Sequence, residues 1–159
     1  MRVPGVGGPR QVLSAALAAL EAEGLKLEAV SPILATAPIG PSLRHYANAV
    51  AVVASDRDPS AVLVLLQRIE RVFGRKRCGE RWRARPLDLD IVMWSGGVWI
   101  GNGLVIPHLR FRERRFVLAP AAAIAARWRD PVTGLTVKQL RARLTRNRQL
   151  PSCEPRSGP

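Results

Sequence analysis

Leu87-Asp88-Leu89-Asp90-Ile91 is the stretch of this chain best suited to chemistry. In a strand, side chains alternate, so Leu87, Leu89 and Ile91 face one way. Asp88 and Asp90 face the other, roughly 7 Å apart at Cα. Two carboxylates so placed repel each other, and burying either beside Ile91 and Val92 is costly without a cation. A hard divalent ion answers both problems, and Mg²⁺ is commonly held by one or two carboxylates together with phosphate oxygens. Taken alone, Asp-x-Asp fits an ordinary solvated strand face equally well.

The residues around this pair sharpen the reading. Immediately upstream runs Gly74-Arg75-Lys76-Arg77-Cys78-Gly79-Glu80-Arg81-Trp82-Arg83-Ala84-Arg85. A loop this basic repels itself unless it meets an anion. Beside a metal-loaded acid pair it suits a triphosphate, with guanidinium forks taking the oxygens that the metal leaves. Trp82 offers a flat cover for a base or another planar ligand. A solvated loop or an RNA-binding patch would look similar, but the acid pair repels RNA phosphates unless it carries metal. His108 sits between Pro107 and the cations Arg110, Arg112, Arg114 and Arg115. It is placed either to bond a phosphate or ribose oxygen or to serve the fold alone. Gln67 and Glu70 share a helix face at i, i+3 near the basic loop. On their own they read as solvated helix residues. Gly5, Gly7 and Gly8 form no phosphate loop, since neither G-x-x-x-x-G-K-[ST] nor GxGxxG is present.

The elements that must position these residues follow from periodicity. A helix is expected over 10–23, with Val12, Leu13, Ala16, Leu17 and Leu20 as its apolar stripe. A strand over 25–34 is broken near Ser31-Pro32, and 36–44 is a Pro/Gly-rich loop. A strand over 46–54 puts Tyr46, Asn48, Val50 and Val52 on one face. Asp58-Pro59 starts a helix that reaches Phe73, with Val62, Leu65, Leu66, Ile69 and Phe73 inward. A strand over 86–94 turns at Ser95-Gly96-Gly97 into a short strand over 98–100. One or two short helices, interrupted at Pro120, are expected within 107–126. Thr136 caps a last helix ending near Leu144. The expected organisation is an irregular N-terminus over 1–9, one domain over 10–144 and a disordered tail over 145–159. The class is α+β: a largely antiparallel sheet covered by helices.

Composition narrows the options. The chain has 159 residues, a net charge of +13 and 47% hydrophobic residues, which suits one domain with a single core. Its charge draws it toward polyanions, or simply reflects an Arg-rich proteome. Two cysteines, Cys78 and Cys153, stand far apart in basic surroundings, which fits a reducing cytoplasm and no disulfide framework. His45 and His108 are too few for a histidine metal cluster. No apolar run is long enough to span a bilayer, and 1–10 has no secretion signal pattern.

Several segments in fixed order now resemble one family. They are Thr36-Ala37-Pro38-Ile39-Gly40-Pro41, Tyr46-Ala47-Asn48-Ala49-Val50, Gln67-Arg68-Ile69-Glu70, and Gly74-Arg75 through Arg81-Trp82. Next come Arg85-Pro86-Leu87-Asp88-Leu89-Asp90-Ile91, Pro107-His108, and Arg114-Arg115-Phe116-Val117-Leu118 with Pro120. Over 10–144 the chain resembles the 6-hydroxymethyl-7,8-dihydropterin pyrophosphokinases. The resemblance implies a ferredoxin-like α+β fold, two Mg²⁺ ions and ATP as co-substrate. It implies transfer of pyrophosphate from ATP to the pterin hydroxymethyl group, releasing AMP, in folate biosynthesis. By position, Asp88 and Asp90 would hold the metals. Arg77, Arg85, His108 and Arg114 would contact ATP phosphates, with Gln67, Glu70 and Ile91 near the nucleotide. Arg75 and Trp82 would sit on mobile loops that close over the site, joining Arg77 and Arg85 as the catalytic group. Thr36, Pro38, Ile39, Tyr46, Asn48 and Phe116 would line the pterin pocket. There Tyr46 or Phe116 would stack on the ring, and Asn48 would read its amide-like edge. The implied partners are small molecules only, the pterin and ATP, with no membrane or nucleic acid, and the implied state is a monomer.

Three features depart from the family pattern. The family opens with an apolar strand and a Gly-Ser-Asn-like turn, whereas Pro4, Gly5, Gly7, Gly8 and Pro9 cannot build a central strand. The sheet is therefore expected to lack its first strand, either because the true start lies upstream or because the chain is naturally short. Leu109 follows His108 where an aromatic or proline is usual, and Gly103-Leu104-Val105 replaces polar groups. Competing readings are an inactive family member, a basic RNA-binding module and an Asp-x-Asp glycosyltransferase. The second lacks aromatic pairs on its strands, and the third fits neither the length nor the arginine block.

Overall fold

Val12, Ala16 and Leu20 recur at helical spacing, and α1 (Pro9–Ala22) buries all three. The computed structural model describes residues 5–36, 46–74 and 86–146. After α1 come β1 (Lys26–Val30), β2 (Leu34–Thr36), β3 (Tyr46–Asn48) and β4 (Ala51–Ala54). Then follow α2 (Pro59–Val72), β5 (Trp99–Gly101), β6 (Leu104–Ile106), a 3-10 turn (Phe111–Glu113), α3 (Arg115–Ile124) and α4 (Val137–Thr145). Among the described residues the strands pair as β1 with β4, β2 with β3, and β5 with β6, all antiparallel. The class is α+β. No helix among the described residues is long and apolar enough to cross a membrane.

Helix boundaries follow their caps. The Asp58 carboxylate accepts from the Ala61 N–H at 2.9 Å, with Pro59 at the first helical position of α2. Thr136 and Gln139 form a reciprocal capping box at the start of α4: the Thr136 hydroxyl accepts from the Gln139 N–H at 3.2 Å, and Gln139 Oε1 accepts from the Thr136 N–H at 2.9 Å.

Strands depart further from expectation. The expected strand over 46–54 is two strands, because residues 49 and 50 leave the ladder and the Val50 N–H bonds the Ser31 hydroxyl at 3.0 Å. Residues 87–91 alternate between inward and exposed side chains, 91–93 are all half-buried, and 86–93 join no ladder among the described residues. The turn at 95–97 is present, closed by a bridge between Trp94 and Gly97. Gly96 lies under the Trp94 ring, where a Cβ would collide with it. The strand expected over 98–100 instead pairs forward, as β5 with β6 across Asn102-Gly103, both at positive φ. That is the turn chemistry of a two-residue hairpin. Pro120 lies inside α3 rather than interrupting it. The expected tail falls largely outside the described residues, and α4 itself runs to Thr145.

Two cores result. The first joins Val12, Ala16 and Leu20 of α1, Leu25 just before β1, Leu65, Leu66 and Ile69 of α2 with Phe73 at its end, and Leu87. The second joins Phe111, Leu118, Ala121, Val137 and Leu140. Phe111, Leu118 and Val137 are at most 1% exposed. Each such side chain contributes about 1.5–3 kcal/mol relative to exposure.

Beneath the second core lies a carboxylate that sequence reading passed over. Asp130 is wholly buried and receives both Nε and NH2 of Arg112, at 2.7 and 2.6 Å. The Thr133 hydroxyl and the Val132 N–H also donate to it. Burial pushes its pKa up, but the Arg112 fork, the Thr133 and Val132 donors and the Arg112 charge outweigh burial and bring it down to about 2. A folded value below the unfolded one gives stability that is full above pH 4 and is lost as pH falls toward 2. The Arg112 side chain is 26% exposed, so solvent screens the pair and the contribution is about 1–2 kcal/mol. Asp130→Asn is expected to destabilise the fold at pH 7 by about 3 kcal/mol or more, by stranding Arg112. Urea unfolding of both proteins at pH 7 and at pH 2.5 checks this: the gap between them should narrow at the lower pH.

Candidate active site

The segment 87–93 crosses from one core to the other. Leu87 is buried in the first core, and Leu89 and Ile91 pack against it. Val92 and Met93 pack against the second. Asp88 and Asp90 are left on the exposed side. The main chain is tied at two points. Leu89 N–H donates to Glu70 Oε1 of α2 at 2.9 Å, and Val92 C=O accepts from the His108 N–H at 3.0 Å.

Four stretches of chain meet at the aspartates. Asn48, Ala49 and Val50 come from the end of β3, and Asp88, Asp90 and Val92 from the crossing segment. His108 and Phe111 come from the loop after β6, and Arg114, Phe116 and Val117 from the start of α3. Together they line one open pocket. Asp90 Oδ2 lies 3.9 Å from His108 Nε2 and 3.8 Å from Arg114 Nη1. Both distances exceed a hydrogen bond, so the two groups flank the carboxylate without closing on it. His108 Nδ1 accepts from the Arg110 N–H at 3.2 Å, so a neutral ring carries its proton on Nε2, toward Asp90. The Arg114 guanidinium lies 5.7 Å from the centroid of Phe116, within cation–π range. The first turn of α3 holds no carboxylate, and its positive dipole end borders the pocket, which favours an anion there.

The arrangement fits a metal that needs its nucleotide. Among the described residues no cluster of three or more His, Cys, Asp or Glu side chains could hold an ion unaided. Two exposed carboxylates against one arginine leave the described lining short of positive charge. Mg²⁺ commonly takes one or two carboxylates and completes its shell with water and phosphate oxygens. Asp88 and Asp90 match that donor set.

The structure brings together six of the residues singled out by sequence: Asp88, Asp90, His108, Arg114, Asn48 and Phe116. Tyr46 is 44% exposed on β3, paired with Thr36, and does not line the pocket. Ile91 turns its side chain to the first core. Glu70 is 1% exposed, so it is not the solvated residue its helix position suggested. Its carboxylate is taken inward by the Leu89 N–H. Gln67 is half-buried on the same helix and outside the lining. Pro38, Ile39, Arg75, Arg77, Trp82 and Arg85 lie outside the described residues, as do Cys78 and Cys153. Sequence reading missed Val50, Val92, Phe111 and Val117 as pocket wall. The available signal was Phe111, a large apolar residue set alone between arginines.

A family model described as 7,8-dihydro-6-hydroxymethylpterin-pyrophosphokinase (HPPK) matches residues 5–126. The chain is 38% identical over 125 residues to the 2-amino-4-hydroxy-6-hydroxymethyldihydropteridine pyrophosphokinase of Pseudomonas aeruginosa, covering 77% of this chain and 76% of that protein. It is 37% identical over 120 residues to the protein of that name from Haemophilus influenzae, covering 74% of each. It is 36% identical over 117 residues to the one from Synechocystis sp., where the match is 74% of this chain but 60% of the relative's length.

Arg112 and Arg114 should separate cleanly by experiment. Arg114→Ala is expected to weaken Mg-ATP binding about tenfold or more by losing a charge-assisted phosphate contact, with little change in Tm. Arg112→Ala should lower Tm, and should weaken nucleotide binding less than Arg114→Ala does, because it acts only through the turn that carries Arg114. Titration calorimetry and thermal melts on the same samples check both.

Proposed function

The chain belongs to the 7,8-dihydro-6-hydroxymethylpterin-pyrophosphokinase family, and on that premise we propose that it transfers pyrophosphate from ATP to 6-hydroxymethyl-7,8-dihydropterin. The products are AMP and the pterin diphosphate, and the step belongs to folate biosynthesis. The observation that carries this reading is the convergence of Asp88, Asp90, His108 and Arg114 with Asn48 and Phe116 in one pocket. One set suits a metal-bound polyphosphate, and the other a flat, amide-bearing ring.

The chemistry is an in-line displacement. The pterin hydroxyl oxygen forms a bond to the β-phosphorus as the bond from that phosphorus to the α-phosphate oxygen breaks. AMP leaves, and the hydroxyl proton passes to water. Bound at Asp88 and Asp90, Mg²⁺ (two ions in this reading) would neutralise phosphate charge and make the attacking hydroxyl more acidic. Arg114 holds a phosphate oxygen and offsets charge that develops toward AMP. His108 donates from Nε2, the nitrogen left free for the site by the Arg110 N–H. Phe116 stacks on the pterin and Asn48 reads its edge. Val50, Val92, Phe111 and Val117 wall the pocket with apolar surface and keep out water, the competing acceptor. In this reading Arg75, Arg77, Trp82 and Arg85 would act on the polyphosphate and Thr36, Pro38 and Ile39 on the pterin, while Tyr46, Gln67 and the Ile91 side chain stand outside the pocket lining. Positioning and electrostatics supply most of the acceleration. In this reading the described parts belong to a ferredoxin-like domain that works as a cytoplasmic monomer, with no nucleic-acid partner.

AMP release from ATP, with Mg²⁺ and 6-hydroxymethyl-7,8-dihydropterin, tests the proposal. The chain should produce AMP only when the pterin is present. Asp88→Ala should lower the rate by roughly 10²–10³-fold, the usual loss when a major electrostatic element is removed. Pterin-independent AMP, or none from the folded chain, sinks it.

A further inference from the structure

We propose that Glu70 is a positioning residue for the metal-binding pair: its carboxylate, on the inner face of α2, pins the peptide between Asp88 and Asp90. The proposal rests on the pyrophosphokinase reading, and it replaces the expected nucleotide contact of Glu70 with a supporting one. Glu70 is 1% exposed and is not among the residues lining the pocket. A carboxylate is almost never fully buried unless its oxygens are taken up by donors. Here Oε1 accepts from the Leu89 N–H at 2.9 Å.

The location of this bond gives it its consequence. Leu89 stands between the two aspartates, and each neighbouring Cα is about 3.8 Å from its own. A rotation of the peptide at Leu89 therefore swings both carboxylates. Residues 86–93 join no ladder among the described residues, so none of the described strands fixes that rotation. Apolar packing of Leu87, Leu89 and Ile91 sets which way the segment faces, but packing alone is tolerant of small tilts. Glu70 supplies the missing direction from a rigid base. α2 is capped by Asp58 and packed through Leu65, Leu66 and Ile69. Metal sites need their ligands held to within about 0.5 Å, and groups that orient the ligands typically change metal affinity by about 10–100-fold.

The test uses Mn²⁺ as the probe, read by electron paramagnetic resonance on the full chain with α,β-methylene-ATP. Wild type should bind Mn²⁺, and Asp88→Asn should lose it. No binding by wild type overturns the metal reading, and this proposal with it. Glu70→Ala should raise the Mn²⁺ Kd by about 10–100-fold. Glu70→Gln keeps an acceptor oxygen for the Leu89 N–H and should stay close to wild type. A folded Glu70→Ala protein with wild-type Mn²⁺ affinity overturns this proposal alone. So does a Glu70→Gln protein that loses as much as Glu70→Ala, since the acceptor would then not be what matters. Amide exchange in the wild-type chain decides the point even where Glu70→Ala does not fold. The Leu89 amide should be strongly protected, and exchange at the rate of a solvent-exposed amide overturns the proposal.

Discussion

Like-charge repulsion between Asp88 and Asp90 is the constraint to which the rest of the molecule answers. Strand-like alternation puts both carboxylates on one side of a short segment, and neither can retreat into the apolar interior without a large penalty. Among the described residues the segment also has no strand partner to make it part of a sheet. Its stiffness comes from elsewhere. Leu87, Leu89 and Ile91 are seated in the first core, and Val92 and Met93 in the second. The His108 N–H holds the Val92 carbonyl, so the backbone of the histidine is fixed two residues beyond Asp90. The 3.9 Å approach of His108 Nε2 to Asp90 is therefore set by main-chain contacts as well as by the side chains.

The same logic sorts the arginines. A net charge of +13 says nothing about which cations do chemistry. Between His108 and Phe116, neighbouring arginines have opposite fates. Arg112 turns to buried Asp130 and becomes part of the fold, while Arg114 turns to Asp90 and becomes part of the site. Phe111 makes this division possible. It is 1% exposed, so it anchors the 3-10 turn in the second core and fixes where the side chains after it point. A run of arginines that looks uniform in sequence is thus split by one apolar anchor and one buried carboxylate.

Much of this was legible from residue types alone, and the reasons differ by feature. Helices announced themselves through apolar stripes and caps: Asp58-Pro59 and Thr136 begin α2 and α4 as read. Asp88, Asp90 and His108 were singled out by residue type and setting, Arg114, Asn48 and Phe116 by the family resemblance, and the fold brings all six to one pocket. Strand partners were not legible, because alternation specifies a face and not a neighbour. Residues 87–91 keep their face without a ladder among the described residues. The hairpin β5–β6 carried its own signal in Asn102-Gly103, whose left-handed backbone fits a two-residue turn, and that signal was passed over. Glu70 and Asp130 were invisible for a common reason. A carboxylate is solvated by default, and only a donor distant in sequence, the Leu89 N–H or Arg112, reverses that default.

Asp130 also shows why the end of the described chain matters to a site it does not touch. The family match stops at residue 126, yet the second core needs Val137 and Leu140 of α4, which lie beyond it. Val50, Val92 and Val117 pack against that core and line the pocket, and Phe111 does both from within. The Arg112–Asp130 pair and the α4 capping box hold α4 in place from outside the pocket. A loosened α4 would take support from Phe111 first, and with Phe111 would go the turn that aims Arg114 at Asp90. The position of Arg114 in the pocket thus depends on a buried ion pair and a helix cap that are not part of its lining. The carboxylate-facing side depends instead on α2 and Glu70. The pocket sits where the outputs of two separately stabilised cores meet, and the repelling aspartates lie on a segment that belongs to both.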